Sequence, residues 1–539
     1  MSLPDWPLPD YETTHRRVRA ALEAIDRPPP PAPLPAPPPP PPLDPDGPAW
    51  HARATADLYT AIRGPLPDRN HYWLLLEPDP DAPDLLTRAA RLTRALADIA
   101  HAVHAGRWPR EHLAGQPLEM RQYAEGAFTT AREPDPRRDI TRHHPPAEHV
   151  AVVCEGHLAT LAVRRDGRPL APAALARALA PLAAPDRPPR RDNAPPAATA
   201  LPRATWAALR ATLDPRALAR VDGALFALCL EPATRPCDLA AAAEALRRGD
   251  LASRWYDKSL ALVVFADGTA GLSCEHAALD GHVALALAHA LAPPPATGHP
   301  GPAPLTPLTL GEDPAFEARV ARALAATDPA TIPEGRTHRT PYGRARLTPR
   351  GGADALVQLA IARAARAVLG GWPPVNEAVQ IRHVRHGRYD TALTTTPEQR
   401  RAITRWEATG APDPADLRAV GAAHRRLIDA CRRGESPVLP WLVHAAAAAA
   451  AGRPFAPEWL TVLDCPVTTS NAGHSPRVAA FGFTDAEPGT LGVAYLLGDD
   501  TLTLHVKADG DRRALLDPFV AALLDGLAAL ADAPTSPHS

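Results

Sequence analysis

The chain has 539 residues, a formal net charge of −2 and a sequence pI near 6.9. This length exceeds what one typical hydrophobic core supports, so we expect two domains. The nearly balanced charge gives no global field that would steer the chain towards nucleic acid or an acidic membrane surface, and we expect neither as a partner.

Cysteine usage and the N-terminal sequence favour a reducing, cytoplasmic setting. The six cysteines are scattered without CxxC or metal-like spacing, so neither a disulfide framework nor a metal site is expected. The first residues lack a signal pattern, and no apolar run reaches the roughly 18 residues of a membrane helix. Abundant Ala and Pro, with arginine in place of almost all lysine, are typical of bacterial-like, GC-rich coding. We therefore expect a soluble, monomeric, cytoplasmic protein.

Hydrophobic periodicity predicts helices and strands through the first part of the chain. The stretch 27–48 is mostly proline and predicts a stiff polyproline II linker, with a ligand for an SH3-like domain as the alternative. The strongest hairpin signal is LALVVFADGTAGLSCEH, in which two β-rich runs join through Asp267-Gly268. Helices are predicted at 11–26, 50–62, 85–106, 204–213, 215–225, 238–248 and after 281, strands at 149–154, 158–164 and 225–230, and a Pro/Arg-rich loop at 184–196.

A loop-rich region at 293–307 predicts a domain boundary, with domains at 1–305 and 306–539. Strands and helices alternate irregularly on both sides of it, which predicts an α/β fold with mixed sheets. Beyond the boundary, helices are predicted at 313–326, 353–368, 414–433 and 439–451, and strands at 379–384, 461–465, 478–483, 490–497 and 501–507.

His276 lies between the second strand of the predicted hairpin and the following helix, in the sequence EHAALDG. As the last strand residue it would present its ring to a cleft. A general base needs a neutral imidazole with one nitrogen free and the other oriented by an acceptor; Asp280 could orient the ring directly or through an arginine. The Asp-Gly pair also suits a helix N-cap or a turn, so the spacing alone does not establish catalysis.

The pattern His-x-x-x-Asp-Gly is also the signature of CoA-dependent acyltransferases related to chloramphenicol acetyltransferase. The longer stretch RWYDKSLALVVFADGTAGLSCEHAALDG, at 254–281, resembles the choline/carnitine acyltransferase family over its full length. Further segments resemble that family in the same order: LPDWPLPDYETTHRRVRAAL, PLEMRQY, HHPPAEHVAVVCEGHLATLAVRRDGRPL, DALVQLA, NEAVQIRHVRHGR, CPVTTSN and PGTLGVAY.

This resemblance implies two domains of similar fold, each a mixed β-sheet flanked by helices, with an active-site tunnel between them. CoA or acyl-CoA would enter from one side as the co-substrate and a small alcohol from the other, and an acyl group would pass reversibly between them. His276 would act as general base, with Asp280 behind it. Ser470 would donate a hydrogen bond to the oxyanion, and Arg388 could neutralise Asp280.

The resemblance places CoA phosphate binding on the segment YGRARLTPRGGADALVQ. Arg344, Arg346 and Arg350 are the candidates, because arginine binds phosphate well. Asp354 matches an aspartate at the start of the following helix. The spacing does not distinguish among the three arginines, and solvated charges in a loop are the alternative.

The acceptor side departs from the carnitine enzymes. Leu439 stands where the resemblance places the arginine that holds the carboxylate of carnitine, Asn376 replaces a tyrosine, and Tyr389 replaces a threonine. Thr468 and Phe481 keep substrate-contacting positions. Without the arginine a desolvated carboxylate loses its bidentate partner. We therefore expect carnitine to be a poor acceptor and another alcohol, or an amine, to be the substrate.

Three other functions remain open from the sequence: N-acylation, acyl transfer from a carrier-protein thioester, and a non-catalytic acyl-CoA sensor. Cys274 shares the predicted strand face of His276 and could be a nucleophile, but a small buried residue is the preferred interpretation. The pairs His383/His386 and His143/His144 lack the carboxylates needed for a metal-ligand set.

Overall fold

The computed structural model describes residues 3–39, 47–184, 187–188, 194–485 and 488–535. It contains an eight-stranded and a six-stranded mixed sheet, both flanked by helices. The predicted α/β class is therefore confirmed. Residues 40–46 of the polyproline stretch and most of the predicted loop at 184–196 lie outside the described residues.

The first part of the chain alternates helices with short strands. In chain order its helices are α1 (Tyr11–Ala24), α2 (Trp50–Thr60), α3 (Leu66–Arg69), α4 (Leu85–His104), α5 (Pro172–Leu179), α6 (Pro195–Ala198), α7 (Arg203–Arg210), α8 (Pro215–Asp222), α9 (Leu239–Arg247) and α10 (Gly281–Ala290). Its strands are β1 (His71–Leu76), β2 (His112–Leu113), β3 (Gln116–Pro117), β4 (Thr130–Glu133), β5 (Ile140–His143), β6 (His149–Cys154), β7 (His157–Ala162), β8 (Arg164–Arg165), β9 (Arg168–Pro169), β10 (Ala227–Glu231), β11 (Leu260–Phe265) and β12 (Ala270–Glu275).

The second part is richer in long helices. The helices are α11 (Pro314–Ala325), α12 (Arg344–Gly351), α13 (Ala353–Leu369), α14 (Pro397–Thr409), α15 (Pro414–Arg432), α16 (Val438–Ala450), α17 (Pro457–Leu460) and α18 (Leu516–Asp532). The strands are β13 (Leu305–Leu308), β14 (Glu334–Thr340), β15 (Val375–Gln380), β16 (Tyr389–Leu393), β17 (Val467–Gly473), β18 (Val478–Phe483), β19 (Leu491–Leu497) and β20 (Leu502–Ala508).

The eight-stranded sheet has the order β13-β7-β6-β10-β11-β12-β1-β18, with β6, β10 and β11 parallel. All residues of β11 and β12 are buried, which explains their continuous apolar sequences. The hairpin between these strands turns at Asp267-Gly268 as predicted. Gly268 has a φ of +79°, and a Cβ there would lie 2.6 Å from the carbonyl oxygen of Ala82, so only glycine fits.

The six-stranded sheet has the order β14-β20-β19-β17-β15-β16, with β15, β17 and β19 parallel. The second part of the chain also contributes to the first sheet, because β13 pairs with β7 and β18 pairs with β1. Gly482 on β18 permits this approach, since a Cβ would lie 2.3 Å from the Trp73 ring. The two sheets are therefore linked by β18, whereas the boundary at 305/306 stays a prediction.

Several predicted elements need correction. The segment predicted as a strand at 461–465 is a turn, and the strand predicted at 379–384 is β15, which begins at Val375 and ends at Gln380. The residues after Gln380 form a turn in which His386 has a φ of +57°. The sequence prediction also missed β1, β14, β16, α12 and α14. β1 is a short, wholly buried run, so its sequence does not distinguish strand from helix.

The described start of the polyproline stretch packs on the protein surface instead of extending freely. Ala32 and Leu34 pack against a hydrophobic cluster formed by α1, α16 and α17, and Trp459 donates its indole N–H to the carbonyl oxygen of Ala32 at 2.8 Å. Residues 40–46 of the predicted linker lie outside the described residues.

One helical stretch, Gly510–Asp532, is long and apolar enough to cross a membrane by length and composition alone. The expectation that no segment reaches this length was therefore wrong. Much of the stretch is buried: Leu516, Phe519, Leu523 and Leu527 pack in the core of the second sheet. A core helix explains its composition, because a helix packed against a buried sheet has the same apolar content.

The sequence RWYDK, which precedes β11, forms buried polar contacts. Arg254 pairs with Glu231, and both side chains are about 1% exposed. Lys258 donates to the carbonyl oxygens of Asp222 and Ala224, at 2.6 and 2.7 Å. Burial lowers the pKa of Lys258 to about 7. These side chains support the fold around the hairpin and lie away from the cavities described below.

Asp257 of the same sequence accepts from the guanidinium of Arg203 at 2.8 Å and from the indole N–H of Trp206 at 2.6 Å, fully buried. Asp257→Ala should lower the free energy of unfolding by about 3–5 kcal/mol, because it leaves a buried charge without one partner. Chemical denaturation measures this change. The exposed ion pair of Asp57 and Arg138 offers the control, since Asp57→Ala should change stability little. Equal effects of the two substitutions would contradict the prediction.

Candidate active site

His276 was predicted to be the last residue of the strand. Strand β12 ends one residue earlier, at Glu275, and His276 is the first residue of the turn into α10. Its backbone N–H still donates to the carbonyl oxygen of Asn70, 3.1 Å away, across from β1. The preceding Glu275 fixes the turn: one carboxylate oxygen accepts from Arg132 at 2.8 Å and the other from the N–H of Ala277 at 3.0 Å. The imidazole is therefore mounted on a rigid strand end.

Asp280 lies behind the imidazole at the start of α10. Its carboxylate oxygen Oδ1 is 3.5 Å from Nδ1 of His276, too long for a strong direct hydrogen bond. Arg388 donates to Asp280 at 2.6 Å and to the carbonyl oxygens of His276 and Ala277 at 2.7 and 2.6 Å. The predicted contact between Arg388 and Asp280 is thus present, and the arginine ties the carboxylate to the backbone that carries the imidazole.

Gln122 completes the surroundings of Asp280. Its side-chain amide donates to Oδ2 of Asp280 at 2.7 Å and accepts from the Asp280 backbone N–H at 2.8 Å. Burial alone would raise the pKa of Asp280, but the charge and hydrogen bonds of Arg388 outweigh it and hold the pKa at about 2. The carboxylate is therefore ionised at neutral pH and keeps a fixed position.

Three tyrosines surround the other side of the imidazole. Tyr59 stacks on the ring with centroids 4.6 Å apart, and its hydroxyl lies 3.4 Å from Nε2 of His276. Tyr72 packs edge-on at 5.1 Å, and the hydroxyl of Tyr389 is hydrogen-bonded to that of Tyr59. Burial raises the pKa of Tyr59 far above its usual range and that of Tyr389 to about 12. Both phenols are therefore neutral, and Nε2 faces polar hydroxyls.

The protonation of His276 is a testable property of this arrangement. Burial lowers its pKa below the usual value near 6.5, and the Asp280 carboxylate acts in the opposite direction. We expect the imidazole to be neutral at pH 7 and to gain its proton only as the pH falls through this lowered pKa. NMR titration of labelled histidine measures it. Asp280→Asn should lower the pKa further, and a titration midpoint above 6.5 in the unchanged protein would contradict the prediction.

A cavity of about 960 Å³ opens beside His276. It lies between the two sheets, since its walls come from β15, β16, β17 and β18 as well as from α2 and α10. Of the residues predicted from the sequence, those that line it are His276, Asp280, Asn376, Arg388, Tyr389, Thr468, Ser470 and Phe481. Leu439 is buried and does not line the cavity. Val438 and Leu442 of the same helix line it instead.

A second cavity of about 350 Å³ adjoins the first, and His282 and Ala378 line both. It is also lined by Asp354 and by Glu377 of β15. The imidazole of His276 lines the larger cavity, and the smaller cavity adjoins it at His282 and Ala378. This arrangement could admit two substrates from different sides.

The three predicted arginines lie on α12, which is a helix and not the loop that the sequence suggested. Arg344 pairs with Asp499 at 2.8 Å, and Arg346 donates to the carbonyl oxygen of Ala531 at 3.1 Å. Arg350 donates to the carbonyl oxygen of Ala533 at 2.6 Å, so two of the arginines bind the end of α18. They lie outside the linings of both described cavities.

Asp354, Glu377 and His424 form a cluster whose ligand atoms lie within 4.8 Å of one another, a set that could hold a metal ion. Asp354 already accepts from Asn471 at 2.9 Å and from Tyr495 at 2.7 Å. Burial and the neighbouring Asp354 carboxylate raise the pKa of Glu377 well above its usual range. Burial would raise the pKa of Asp354, but its hydrogen bonds lower it, so Glu377 keeps its proton to higher pH than Asp354.

Cys274 is fully buried, and burial raises the pKa of its thiol to about 12. A thiol that stays protonated at neutral pH is a poor nucleophile. The residue also lies outside the described lining of the larger cavity. These observations agree with its interpretation as a small core residue.

The structure adds residues that the sequence did not single out for this site. Tyr59 and Tyr72 carry no motif signal, since they lie on separate elements more than 200 residues before His276. Gln122 lies in PLEMRQY, a segment that resembles the family but was given no role. That resemblance was the one sequence signal that could have pointed to Gln122 as a site residue. Asp485 and His282 line the larger cavity as well.

Comparison with known proteins gives a consistent result across the chain. A family model described as Choline/Carnitine o-acyltransferase matches residues 45–523. The chain is 28% identical over 263 residues to mitochondrial carnitine O-palmitoyltransferase 2 of Mus musculus, over 42% of this chain and 40% of that protein. It is 29% identical over 258 residues to peroxisomal carnitine O-octanoyltransferase of Rattus norvegicus, over 44% of this chain and 40% of that protein.

A third relative is choline O-acetyltransferase of Mus musculus, 28% identical over 328 residues, which cover 54% of this chain and 50% of that protein. The matches therefore span half or less of the length of these curated relatives.

Solved structures match at low identity. The wax ester synthase/diacylglycerol acyltransferase from Marinobacter aquaeolei VT8 matches with a TM-score of 0.37 and 13% identity, over 91% of this chain and 98% of that chain. The EpoB NRPS cyclization-docking bidomain from Sorangium cellulosum matches with a TM-score of 0.42 and 13% identity, over 97% and 92%.

Proposed function

Because the chain belongs to the choline/carnitine O-acyltransferase family, we propose that it transfers an acyl group reversibly between a CoA thioester and the hydroxyl of a small acceptor. The observation that carries the proposal is the environment of His276. A neutral imidazole, held by Arg388 and Asp280, lines the larger cavity, which the smaller cavity adjoins at His282 and Ala378. A bisubstrate transfer needs a base between two substrate paths.

In this proposal Nε2 of His276 accepts the proton of the acceptor hydroxyl as that oxygen attacks the thioester carbonyl. The C–O bond forms while the carbonyl oxygen gains negative charge. The hydroxyl of Ser470, which lines the same cavity, donates a hydrogen bond to that oxyanion. When the C–S bond breaks, the imidazolium returns its proton to the departing sulfur, and the neutral base is restored.

The two cavities would divide the substrates. The smaller cavity, lined by Asp354 and Glu377, would take the pantetheine arm of CoA, and the arginines of α12 would meet the phosphates. The larger cavity would take the acceptor. His282 and Ala378 line both cavities, and the acyl group would pass from CoA to the acceptor near these residues.

We propose that the acceptor is not carnitine. The larger cavity has Asn376 and Tyr389 in its wall, and α16 contributes Val438 and Leu442 there without an arginine. Among the described residues, four arginines line it. Arg27 donates to the carbonyl oxygen of Val462, and Arg512 lies on the short helical turn before α18. Arg382 and Arg388 are already bound to Glu111 and Asp280. A carboxylate entering this cavity would lose water without gaining a dedicated bidentate partner from these residues.

An assay of CoA release across a panel of acyl-CoAs and small alcohols and amines tests the proposal. We expect turnover with at least one neutral or amine-bearing alcohol, and kcat/KM for carnitine lower by about 10²-fold or more, because a lost charged partner costs about 2–5 kcal/mol. Normal turnover with acetyl-CoA and carnitine would contradict the expected acceptor. Failure to release CoA with every pair would contradict the proposed activity.

A further inference from the structure

A polar group that the sequence did not point to lies in the wall of the larger cavity. Asp485 follows β18, and its side chain is 12% exposed. Its Oδ1 accepts from the hydroxyl of Thr468 at 2.8 Å, and its Oδ2 accepts from the hydroxyl of Thr490 at 2.6 Å. The ammonium of Lys507 lies 2.6 Å from Oδ2. Four side chains, two from strands β17 and β20 and two from the segments after β18 and before β19, therefore form one fixed carboxylate site.

The lysine is enclosed behind the carboxylate. The Lys507 side chain is 1% exposed and also donates to Thr490 at 3.0 Å. A Cβ at Gly492 would lie 2.7 Å from the Lys507 stem and 3.1 Å from Asp485, so the neighbouring strand has glycine where the ion pair needs space. A molecule in the cavity meets the carboxylate and is kept away from the ammonium.

The carboxylate retains capacity for another hydrogen bond. An ionised carboxylate has about four lone-pair sites. Among the residues that the structure describes, three donors occupy one site on Oδ1 and two on Oδ2, which leaves one site on Oδ1. A hydrogen-bond donor of a bound molecule could fill it, whereas the carboxylate of a bound molecule would be repelled.

Strand β17 relates the position of Asp485 to that of Ser470. Thr468, which holds Asp485, and Ser470, the proposed oxyanion donor, are two residues apart and both line the cavity. Side chains two residues apart on one strand face are separated by about 7 Å. Asp485, which accepts from Thr468, therefore lies in the same cavity wall as Ser470, on the side of Thr468.

We propose that Asp485, fixed by Lys507, Thr468 and Thr490, is the specificity-determining residue for the acceptor and selects one with a second hydrogen-bond donor remote from the acylated hydroxyl. This inference rests on the proposed function. The second donor is a hydroxyl or a primary ammonium group. The preferred acceptors are then diols or amino alcohols, in preference to simple alcohols of the same length.

The test compares straight-chain alcohols, terminal diols and terminal amino alcohols of matched length in steady-state assays of the full chain. We expect the unchanged protein to prefer acceptors with a second donor. Asp485→Ala should reduce that preference by about 10- to 100-fold, through the acceptor KM, because a hydrogen bond to a charged group is lost. The KM for acyl-CoA and kcat/KM for simple alcohols should stay within about twofold.

Two further variants keep the result interpretable. Asp485→Ala leaves the buried Lys507 without its partner, which could destabilise the protein. Asp485→Ala/Lys507→Met removes both charges and should show the same loss of preference without that unpaired lysine. Arg512→Leu removes another cation of the same cavity wall and should leave the preference for a second donor unchanged. The diol and amino-alcohol arms identify which donor group Asp485 binds.

Calorimetric binding of the same alcohols gives a readout independent of turnover. Loss of diol and amino-alcohol binding in Asp485→Ala would support the inference even if no acceptor released CoA, which would by itself contradict the proposed function. An unchanged preference, an equal loss for every alcohol, or a loss caused by Arg512→Leu instead would overturn the role of Asp485.

Discussion

His276→Ala should lower kcat by about 10²–10⁴-fold for whichever acyl-CoA and acceptor the protein uses best. The substitution removes the proposed base in the wall of the larger cavity, and no other described imidazole has its Asp280–Arg388 support. Positioning of the two substrates remains, so KM values should change much less than kcat. Steady-state kinetics with both substrates varied separates these effects.

A matched control comes from another helix. His101 is an exposed histidine of α4, and His101→Ala should leave kcat unchanged. Binding of CoA to His276→Ala, measured by calorimetry, should remain close to that of the unchanged protein. Full activity of His276→Ala would contradict the role of His276 as the base, whereas acyl-CoA binding without any CoA release in the unchanged protein would favour a non-catalytic sensor.

Arg388→Met should lower the free energy of unfolding by about 3–5 kcal/mol, since it leaves the Asp280 carboxylate buried and without its charged partner. It should also lower kcat by up to about 10²-fold, because the hydrogen bonds that fix the carbonyl of His276 are lost. Arg388→Lys keeps the charge but lacks the several N–H donors of a guanidinium, so it should restore only part of the free energy of unfolding and part of kcat.

A double substitution separates stability from catalysis at this pair. Arg388→Met/Asp280→Asn removes both charges, so most of the lost stability should return. The kcat should stay low, because neither group then orients the imidazole. If kcat recovered together with stability, Arg388 would have only a structural role, and the positioning argument would be wrong.

The local parts of the fold were predictable because their determinants are close in sequence. The hairpin of β11 and β12 follows from two β-rich runs around Asp267-Gly268, where a positive φ is required. Helices α9 and α11 begin where predicted, with Asp238 and Asp313 accepting from backbone N–H groups of their first turns. The family resemblance, carried by ordered motifs, is confirmed by a family model over residues 45–523.

The predictions failed where the sequence signal was ambiguous. The strand predicted at 461–465 is a turn, although its β-rich sequence resembles that of real strands. Strand β1 was missed because its position in the sheet depends on distant partners. It pairs with β12 on one side and with β18, about 400 residues later, on the other. Neither neighbour can be inferred from the residues beside β1.

The sequence by itself determined His276, Asp280 and the strand–turn–helix that holds them four residues apart. Only the tertiary structure decided what surrounds them: Gln122 and Tyr59 arrive from the N-terminal side and Arg388 from beyond the hairpin. The same holds for the Asp485–Lys507 pair, which joins the segment after β18 of the first sheet to β20 of the second. The physical reason is that turns and caps are fixed by neighbouring residues, whereas burial, pKa and charge pairing depend on groups that only packing brings together.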